Sequence, residues 1–462
     1  MEKKTQASAQ ADSTGSIDRS ETPALREASA VWWRIGLLSF GGPAAQIALM
    51  HRVIVDEKSW LSERQFLNAL SFCMMLPGPE AMQLATYAGW RLHGVFGGLI
   101  AGLAFVLPGA LVVLFLAGAY ALFGQAPLAA SLFMGIKAAV LIIVLEALLR
   151  VSKKALDGMA HWLIAALSFF GIFFFQAPFP LIILVAGLYG IWHGARLSPE
   201  REVEKKVEEA AHPPACASKA QAYVDQSFSH FATMRTILIW LCIWLLPLML
   251  LAWAAPMTIF GTIGLFFSKL ATVTFGGAYA VLAYMAQDAV SHYGWLSAKE
   301  MLDGLGLAET TPGPLILVTE FVGFLAAARS TGELSLWLGL AGAGVTLWAT
   351  FAPCFLWVFA GAPYIEWISE RPRLREALRA ITAAVVGVIL NLSVWFGLHV
   401  LFESVTKEKF GWLVIYQPEW TSFNPVLFVL ALLAGYLLHA RKWSVMPCLG
   451  VTGGLGCLWG LL

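Results

Sequence analysis

Ser39-Phe40-Gly41-Gly42-Pro43, then Trp60-Leu61-Ser62, then Pro77-Gly78-Pro79-Glu80 is the stretch that decides how this chain folds, because most of it is written twice. Phe275-Gly276-Gly277, Trp295-Leu296-Ser297 and Pro312-Gly313-Pro314 repeat it at one offset (275 − 40, 295 − 60 and 312 − 77 all equal 235). Arg34 pairs with Lys269, and Ser39 with Thr274, at the same spacing. Further on, Ile136–Leu145 reappears as Ile381–Leu390 (381 − 136 = 245), so about ten residues are inserted between. Two halves descend from one unit. The repeated positions are mostly Gly and Pro inside apolar sequence, where a membrane protein interrupts its helices to expose backbone groups to a ligand. That pattern is the mark of a transporter.

The 462-residue chain is 59% hydrophobic and 13% charged, carries 19 Trp and has a mean hydropathy of +0.72. No soluble domain of this size sustains that, so the chain is expected to be an all-α polytopic membrane protein. The formal net charge of +1 says little by itself. The six cysteines, among them Cys73, Cys242 and Cys448, show no paired spacing, so neither disulfides nor a metal site is expected. No phosphate loop, HExxH, GxSxG or His/Cys cluster occurs, which argues against an ATP-driven pump or a hydrolase. No cofactor and no nucleic acid are expected.

Apolar stretches long enough to cross a bilayer lie near 31–50, 65–90, 95–123, 131–150, 161–176 and 179–196, and again near 236–256, 258–285, 301–328, 334–360, 379–402, 423–440 and 444–462. About thirteen transmembrane helices are predicted. Residues 1–27 read as a disordered cytoplasmic tail, 28–196 as the first repeat, 197–235 as a solvated cytoplasmic linker, and 236–462 as a linking helix plus the second repeat. Loops rich in Lys and Arg stay in the cytoplasm. With the tail inside, Arg91, Arg150, Lys153, Lys154 and Arg196 all fall inside, while the loops near 124–130 and 176–180 carry no charge. The crossing at 236–256 has no counterpart in the first half. Moreover Arg371, Arg373 and Arg375 occupy the place that an uncharged loop holds in the first half. The halves therefore read as inverted repeats with discontinuous helices, an architecture of alternating access. The counterpart of 161–176 is degraded near 403–422, which contains Glu403, Lys407, Glu408, Lys409 and Glu419.

The repeated motifs have a chemical reading. Two glycines inside a helical segment cost roughly 1 kcal/mol each relative to Ala, so something must compensate. Close helix packing explains a lone Gly-Gly and a plain kink explains a lone Pro-Gly-Pro; recurrence at a fixed offset favours a binding role. Pro suits the first turn of a helix, so Pro79 and Pro314 are each expected to start a half-helix whose amides and positive dipole end form an anion site at mid-membrane. Phe40, Gly41, Gly42, Pro43, Pro77, Gly78, Pro79, Phe275, Gly276, Gly277, Pro312, Gly313 and Pro314 are the candidate substrate-binding positions.

Arg34 and Lys269 are either interfacial anchors that snorkel or cations lining the vestibules of an anion path. Glu80 follows the first triplet, Glu309 precedes the second by three residues and Glu320 follows it by six. Carboxylates in such places cost several kcal/mol unless they face a polar cavity or carry a proton. Together with Lys137, which Thr382 replaces in the second half, they are the candidates for coupling or gating. A carboxylate capping the start of a half-helix is an equally good reading of Glu80. Gln46, Gln83, Tyr87 and Asn391 offer further hydrogen bonds.

The duplicated aromatic-Gly-Gly, Trp-Leu-Ser and Pro-Gly-Pro motifs resemble those of the chromate ion transporter family in its long, two-domain form, over about residues 28–460. The resemblance implies a multi-pass carrier of the bacterial inner (plasma) membrane that exports chromate and confers resistance, with sulfate as the competing tetrahedral dianion. It also implies that the duplicated Gly-Gly and Pro-Gly-Pro positions are the family's functional ones. The sequence departs from symmetry at Ala278, where the first half has Pro43. A sulfate carrier, proton-coupled or not, remains the alternative, and a membrane-embedded enzyme using the carboxylates is a third reading. Beyond the bilayer and the anion, association into a homodimer stays open.

Overall fold

A computed structural model describes residues 23–124, 126–211, 230–254, 258–275, 278–365 and 371–461. The expected tail up to residue 22, the linker residues 212–229, and Gly276 and Gly277 lie outside the described residues. The first half opens with α1 (Leu25–Leu38) and α2 (Gly42–His51), which ends in a π-helical turn over Arg52–Glu57; α3 (Glu63–Met75) and α4 (Glu80–Phe123) follow. Then come α5 (Pro127–Ala155), α6 (Met159–Phe173) and α7 (Phe179–Ala211). Residues 197–211, expected as solvated linker, continue α7, because a run of strong helix formers prolongs a helix already begun.

α8 (His230–Ala254) leads into the second half, where α9 (Ile259–Val273), α10 (Ala278–Gln287) with a π-helical turn at Asp288–His292, α11 (Ala298–Thr310), α12 (Val318–Ala328) and α13 (Leu336–Gly361) repeat the order of α1 to α4. Next are α14 (Pro372–Leu401), strands β1 (Val405–Phe410) and β2 (Leu413–Pro418), α15 (Pro425–Gly435) and α16 (Val445–Leu461). Among the described residues six helices are long and apolar enough to cross a membrane: Glu80–Phe123, Pro127–Ala155, Phe179–Arg196, Phe231–Ala254, Leu336–Tyr364 and Arg373–Leu401. Four of the stretches read as single crossings, 31–50, 65–90, 258–285 and 301–328, are each broken at a repeated motif into two helices, the second of which in 65–90 is the long α4.

Local chemistry explains the motifs. Ser62 and Ser297, the last residues of Trp-Leu-Ser, cap α3 and α11: each side chain accepts the amide of Gln65 or Glu300, whose side chain returns to the serine amide. This reciprocal arrangement satisfies two otherwise orphaned donors. Leu61 and Leu296 beside them are both 3% exposed and anchor the cap to the core. The ten-residue insertion also finds its place. α4 runs on through a kink at His93 and Gly94, whereas the loop Arg329–Ser335 separates α12 from α13, and beyond it Pro108 and Pro353 already stand 245 apart (353 − 108).

The halves interlock. α14 packs against α6 and α7 of the first half, and α5 packs against α15 and α16 of the second. The stretch 403–422, read as a degraded copy of 161–176, is for the most part a hairpin: β1 pairs antiparallel with β2, and Gly411 takes φ +63 in the two-residue turn. β1 (Val405–Phe410) is polar and exposed over most of its length while β2 (Leu413–Pro418) supplies the apolar residues, and glycine tolerates the turn's left-handed backbone. Val414 donates its amide to the Phe174 carbonyl (2.8 Å), docking the hairpin on the end of α6.

Candidate functional site

Three of the four duplicated breaks, those after Ser39, Leu76 and Thr311, come together at one cavity. Gly41 (φ +87) and Gly42 (φ +78) turn the chain between α1 and α2, with Pro43 in the first turn of α2. Leu76 ends α3; Pro77 and Gly78 (φ +124) turn the chain, and Pro79 caps α4, which begins at Glu80. In the second half Thr311 ends α11, Gly313 takes φ +87, and Pro314 starts a single 3-10 turn, Leu315–Leu317, that feeds α12. A left-handed backbone at 78 and 313 is open to glycine and costly to any β-branched residue.

Each Pro-Gly-Pro is held by the other half. The Gly78 amide donates to the Thr274 carbonyl (2.9 Å), and the Gly313 amide donates to the Ser39 carbonyl (2.8 Å). Ser39 and Thr274 are equivalent residues, as are Gly78 and Gly313, so the two bonds are one contact made twice; such self-complementary exchange is what a two-fold relation produces. The steric neighbours exchange as well. A side chain at Gly78 would meet Cys354 of α13, and one at Gly109 of α4 would meet the Pro312 carbonyl, with Gly109 and Cys354 themselves 245 apart (354 − 109). The sequence reading takes both glycines as candidate substrate-binding positions and gives the anion to the amides of the half-helices that follow them. The fold gives the amides of the glycines themselves to carbonyls at the ends of α1 and α9.

What remains directed inward is the first turns of three helices. Pro43 and Gln46 of α2, Pro79, Glu80 and Ala81 at the start of α4, and Pro314–Ile316 leading into α12 line one cavity of about 10 Å³, room for roughly one water. The starts of α2 and α4 carry partial positive charge and amides without an intrahelical partner, and both border this cavity. Gln46 knits the site together. Its Nε2 donates to the Gly313 carbonyl (2.6 Å) and the Ser39 carbonyl (3.3 Å), while its Oε1 is buried without a partner among the described residues. Gln83 likewise donates to the Pro77 carbonyl (2.7 Å). The second half has Val281 and Val318 at these positions (46 + 235, 83 + 235), so this polar support comes from one half alone. Gln46→Leu is expected to lower stability by about 1–3 kcal/mol, because the Gly313 carbonyl stays buried without its donor. Thermal unfolding in detergent reads this directly, and an unchanged midpoint would show that the bond carries no weight.

The charged candidates distribute differently. Arg34 is exposed and pairs with Glu57 (3.8 Å), and Lys269 is exposed with its ammonium 5.7 Å from the Tyr284 ring; neither lines the cavity. Phe40 is partly exposed and Phe275 half-buried. Glu80 borders the cavity. Glu309 is buried and accepts the Tyr279 hydroxyl (2.9 Å). Glu320 is fully buried, and neither of its oxygens has a hydrogen-bond partner among the described residues. Lys137 of α5 pairs with Asp303 of α11 (2.9 Å), both side chains being less than a tenth exposed, and Tyr120 of α4 donates to the same carboxylate (2.8 Å). Asp303 and Tyr120 were not among the candidates. Asp303 carries the signal applied to Glu309, an acid inside an apolar helix, and its equivalent in the first half is the uncharged Asn68 (303 − 235). Among the described residues no group of His, Cys, Asp or Glu is placed to hold a metal ion.

The family profile described as "Chromate transporter" matches residues 26–191 and 261–458, one block in each half. The chain is 30% identical over 376 residues to a chromate transport protein of Cupriavidus metallidurans, covering 81% of this chain and 83% of that one. It is 32% identical over 420 residues to a chromate transport protein of Pseudomonas aeruginosa, covering 88% of this chain and 91% of the other. The uncharacterized transporter YwrA of Bacillus subtilis is 32% identical over 157 residues, which are 88% of its length but 33% of this chain. No solved structure matches.

Proposed function

The chain belongs to the chromate transporter family, and from that premise we propose that it is a secondary carrier of the bacterial inner membrane that exports chromate from the cytoplasm. The observation that carries the reading is the convergence of three helix starts on one central cavity. A tetrahedral dianion would sit there, held by backbone amides and helix dipoles rather than by a basic side chain. At about 10 Å³ the cavity is far too small for the ion, so binding requires the halves to part. We read the halves as inverted repeats, residues 28–196 and 236–462, with about thirteen crossings counting the broken ones and the amino-terminal tail in the cytoplasm. The reciprocal Gly78–Thr274 and Gly313–Ser39 bonds would be the hinge line about which they rock. Glu80, Glu309 and Glu320 are the places where a proton would couple to the cycle.

The energetics favour export. Moving one charge across 100 mV is worth about 2.3 kcal/mol, so a dianion leaving a cell held near ~150 mV negative inside gains on the order of 7 kcal/mol. That supports roughly a 10⁵-fold gradient, since each ~1.4 kcal/mol is tenfold. Sulfate is the second reading, because the cavity is lined by prolines, apolar residues, the Gln46 amide and the Glu80 carboxyl, and none of these separates one tetrahedral dianion from another. In liposomes holding the purified chain, chromate flux is expected to follow an imposed potassium diffusion potential and to be slowed by sulfate. Absence of any potential-dependent chromate flux would sink the proposal, whereas sulfate flux exceeding chromate flux would move the substrate to sulfate.

A further inference from the structure

The last turns of α5 and of α14 are equivalent segments with different chemistry. Glu146, Arg150 and Lys154 follow one another at helical spacing on one side of α5; 245 residues on, Asn391, Trp395 and His399 hold the same register on α14 (391 − 146, 395 − 150, 399 − 154). The surroundings differ too. On α14, Trp395 is buried with the His399 ring 4.3 Å from its own, and Asn391, Trp395, Gln287 and Tyr416 of the hairpin line a second small cavity that the hairpin covers. On α5 nothing comparable among the described residues covers the cations: the Arg150 side chain is 61% exposed and joined to Glu146 at 3.3 Å, and Lys154 is exposed.

These cations stand over the breaks. The Lys154 ammonium lies 3.9 Å from the Met74 sulfur, in the last turn of α3 and three residues before Pro77, and it is within electrostatic reach of Glu80, which borders the central cavity. Arg150 is within reach of Glu309, three residues before Pro312. Glu146 is thus paired with Arg150 directly, while Glu80 and Glu309 feel the two positive charges at longer range. An exposed guanidinium–carboxylate pair is worth little, so an incoming ion with two charges can take both cations from their partners. A cleft lined by cations also raises the local concentration of anions before any contact is made.

We infer that Arg150 and Lys154 form the anion-capturing mouth of the carrier, and that the mouth at Asn391, Trp395 and His399 under the hairpin lacks this capture, so that loading is one-sided. The inference rests on the proposed anion transport and deepens it. Lys and Arg accumulation places the Arg150 mouth in the cytoplasm, so capture serves export.

The test uses everted membrane vesicles containing the full chain, with chromate offered to the cytoplasmic face and initial uptake measured. The double variant R150Q/K154Q is expected to raise KM for chromate about tenfold with the maximal rate within about twofold, and to lose most of its salt dependence, as removal of steering charges does. The charge-conserving R150K/K154R should restore KM to within about threefold, and H399Q should leave it unchanged. If the wild type transports and R150Q/K154Q keeps its KM, the inference is overturned; if the wild type carries no chromate, the transport proposal falls instead. Should R150Q/K154Q fail to reach the membrane, the wild type alone decides. Its KM at this face should rise severalfold between ~0.01 M and ~0.15 M salt, and a salt-independent KM rejects the mouth.

Discussion

Gly78→Val is expected to abolish chromate flux, by about a hundredfold or more, while the protein still reaches the membrane. Three effects act together. At φ +124 a β-branched residue is strained by about 1–3 kcal/mol. A Cβ there would stand 2.7 Å from Gln83 Nε2 and 2.9 Å from Cys354 Sγ, so both neighbours must yield. The amide that bonds Thr274 would shift with the strained backbone, breaking one of the two bonds between halves. Gly313→Val should act in the same way but less severely, because at φ +87 the nearest atom to its Cβ is the flexible end of Leu317 at 3.1 Å, with Gly109 Cα at 3.4 Å and the Phe105 carbonyl oxygen at 3.6 Å in ordinary contact. Initial rates per unit of inserted protein give the comparison. Full activity in both variants would remove the paired breaks from the mechanism, and a larger loss at 313 than at 78 would refute the steric account.

Asp303→Ala should produce the largest loss of stability of any single change at a side chain. The substitution leaves the Lys137 ammonium buried with its carboxylate gone, and breaking a buried pair in this way costs about 3–5 kcal/mol. Tyr120 loses its acceptor as well. Because the pair joins α5 of the first half to α11 of the second, the damage falls on the contact between halves. Replacing both partners with apolar residues of similar size, Lys137→Met with Asp303→Leu, should recover most of the loss, since no lone charge remains. Thermal unfolding of the detergent-solubilised protein measures all three. A single variant as stable as the wild type would show that water reaches Lys137, and a double variant no better than the single one would show that the charges themselves hold the halves together.

The two predictions differ in how visible their residues are in a linear chain. Gly78 and Gly313 announce themselves: each stands between prolines in apolar sequence, and each recurs at the same spacing. Asp303 shows only as an acid in an apolar helix, and its partner lies 166 residues away (303 − 137). Arg34 and Lys269 recur as faithfully as the glycines, yet they face outward, because a long flexible side chain at a helix end can reach solvent or a surface partner as readily as a cavity. The stretch 403–422 misleads for another reason. Its charges rule out a buried helix but say nothing of a hairpin docked on α6, which depends on the Phe174 carbonyl being offered by a distant segment.

Covalent geometry explains the division. Which residue lacks an amide, which tolerates a left-handed backbone and which serine caps a helix are properties of a few adjacent atoms, so the breaks at 41, 78 and 313 and the caps at 62 and 297 could be read directly from the order of residues. Membrane residence followed as directly, from composition and from the length of the apolar runs. The destination of the Gly78 amide is of another kind. It is Thr274, 196 residues on (274 − 78), and only the packing of one half against the other brings that carbonyl within 2.9 Å. The same packing pairs the glycine amides across the halves and brings the starts of α2 and α4 and the 3-10 turn before α12 to one cavity. Long-range partners depend on the energy of the whole assembly, and no local pattern encodes them.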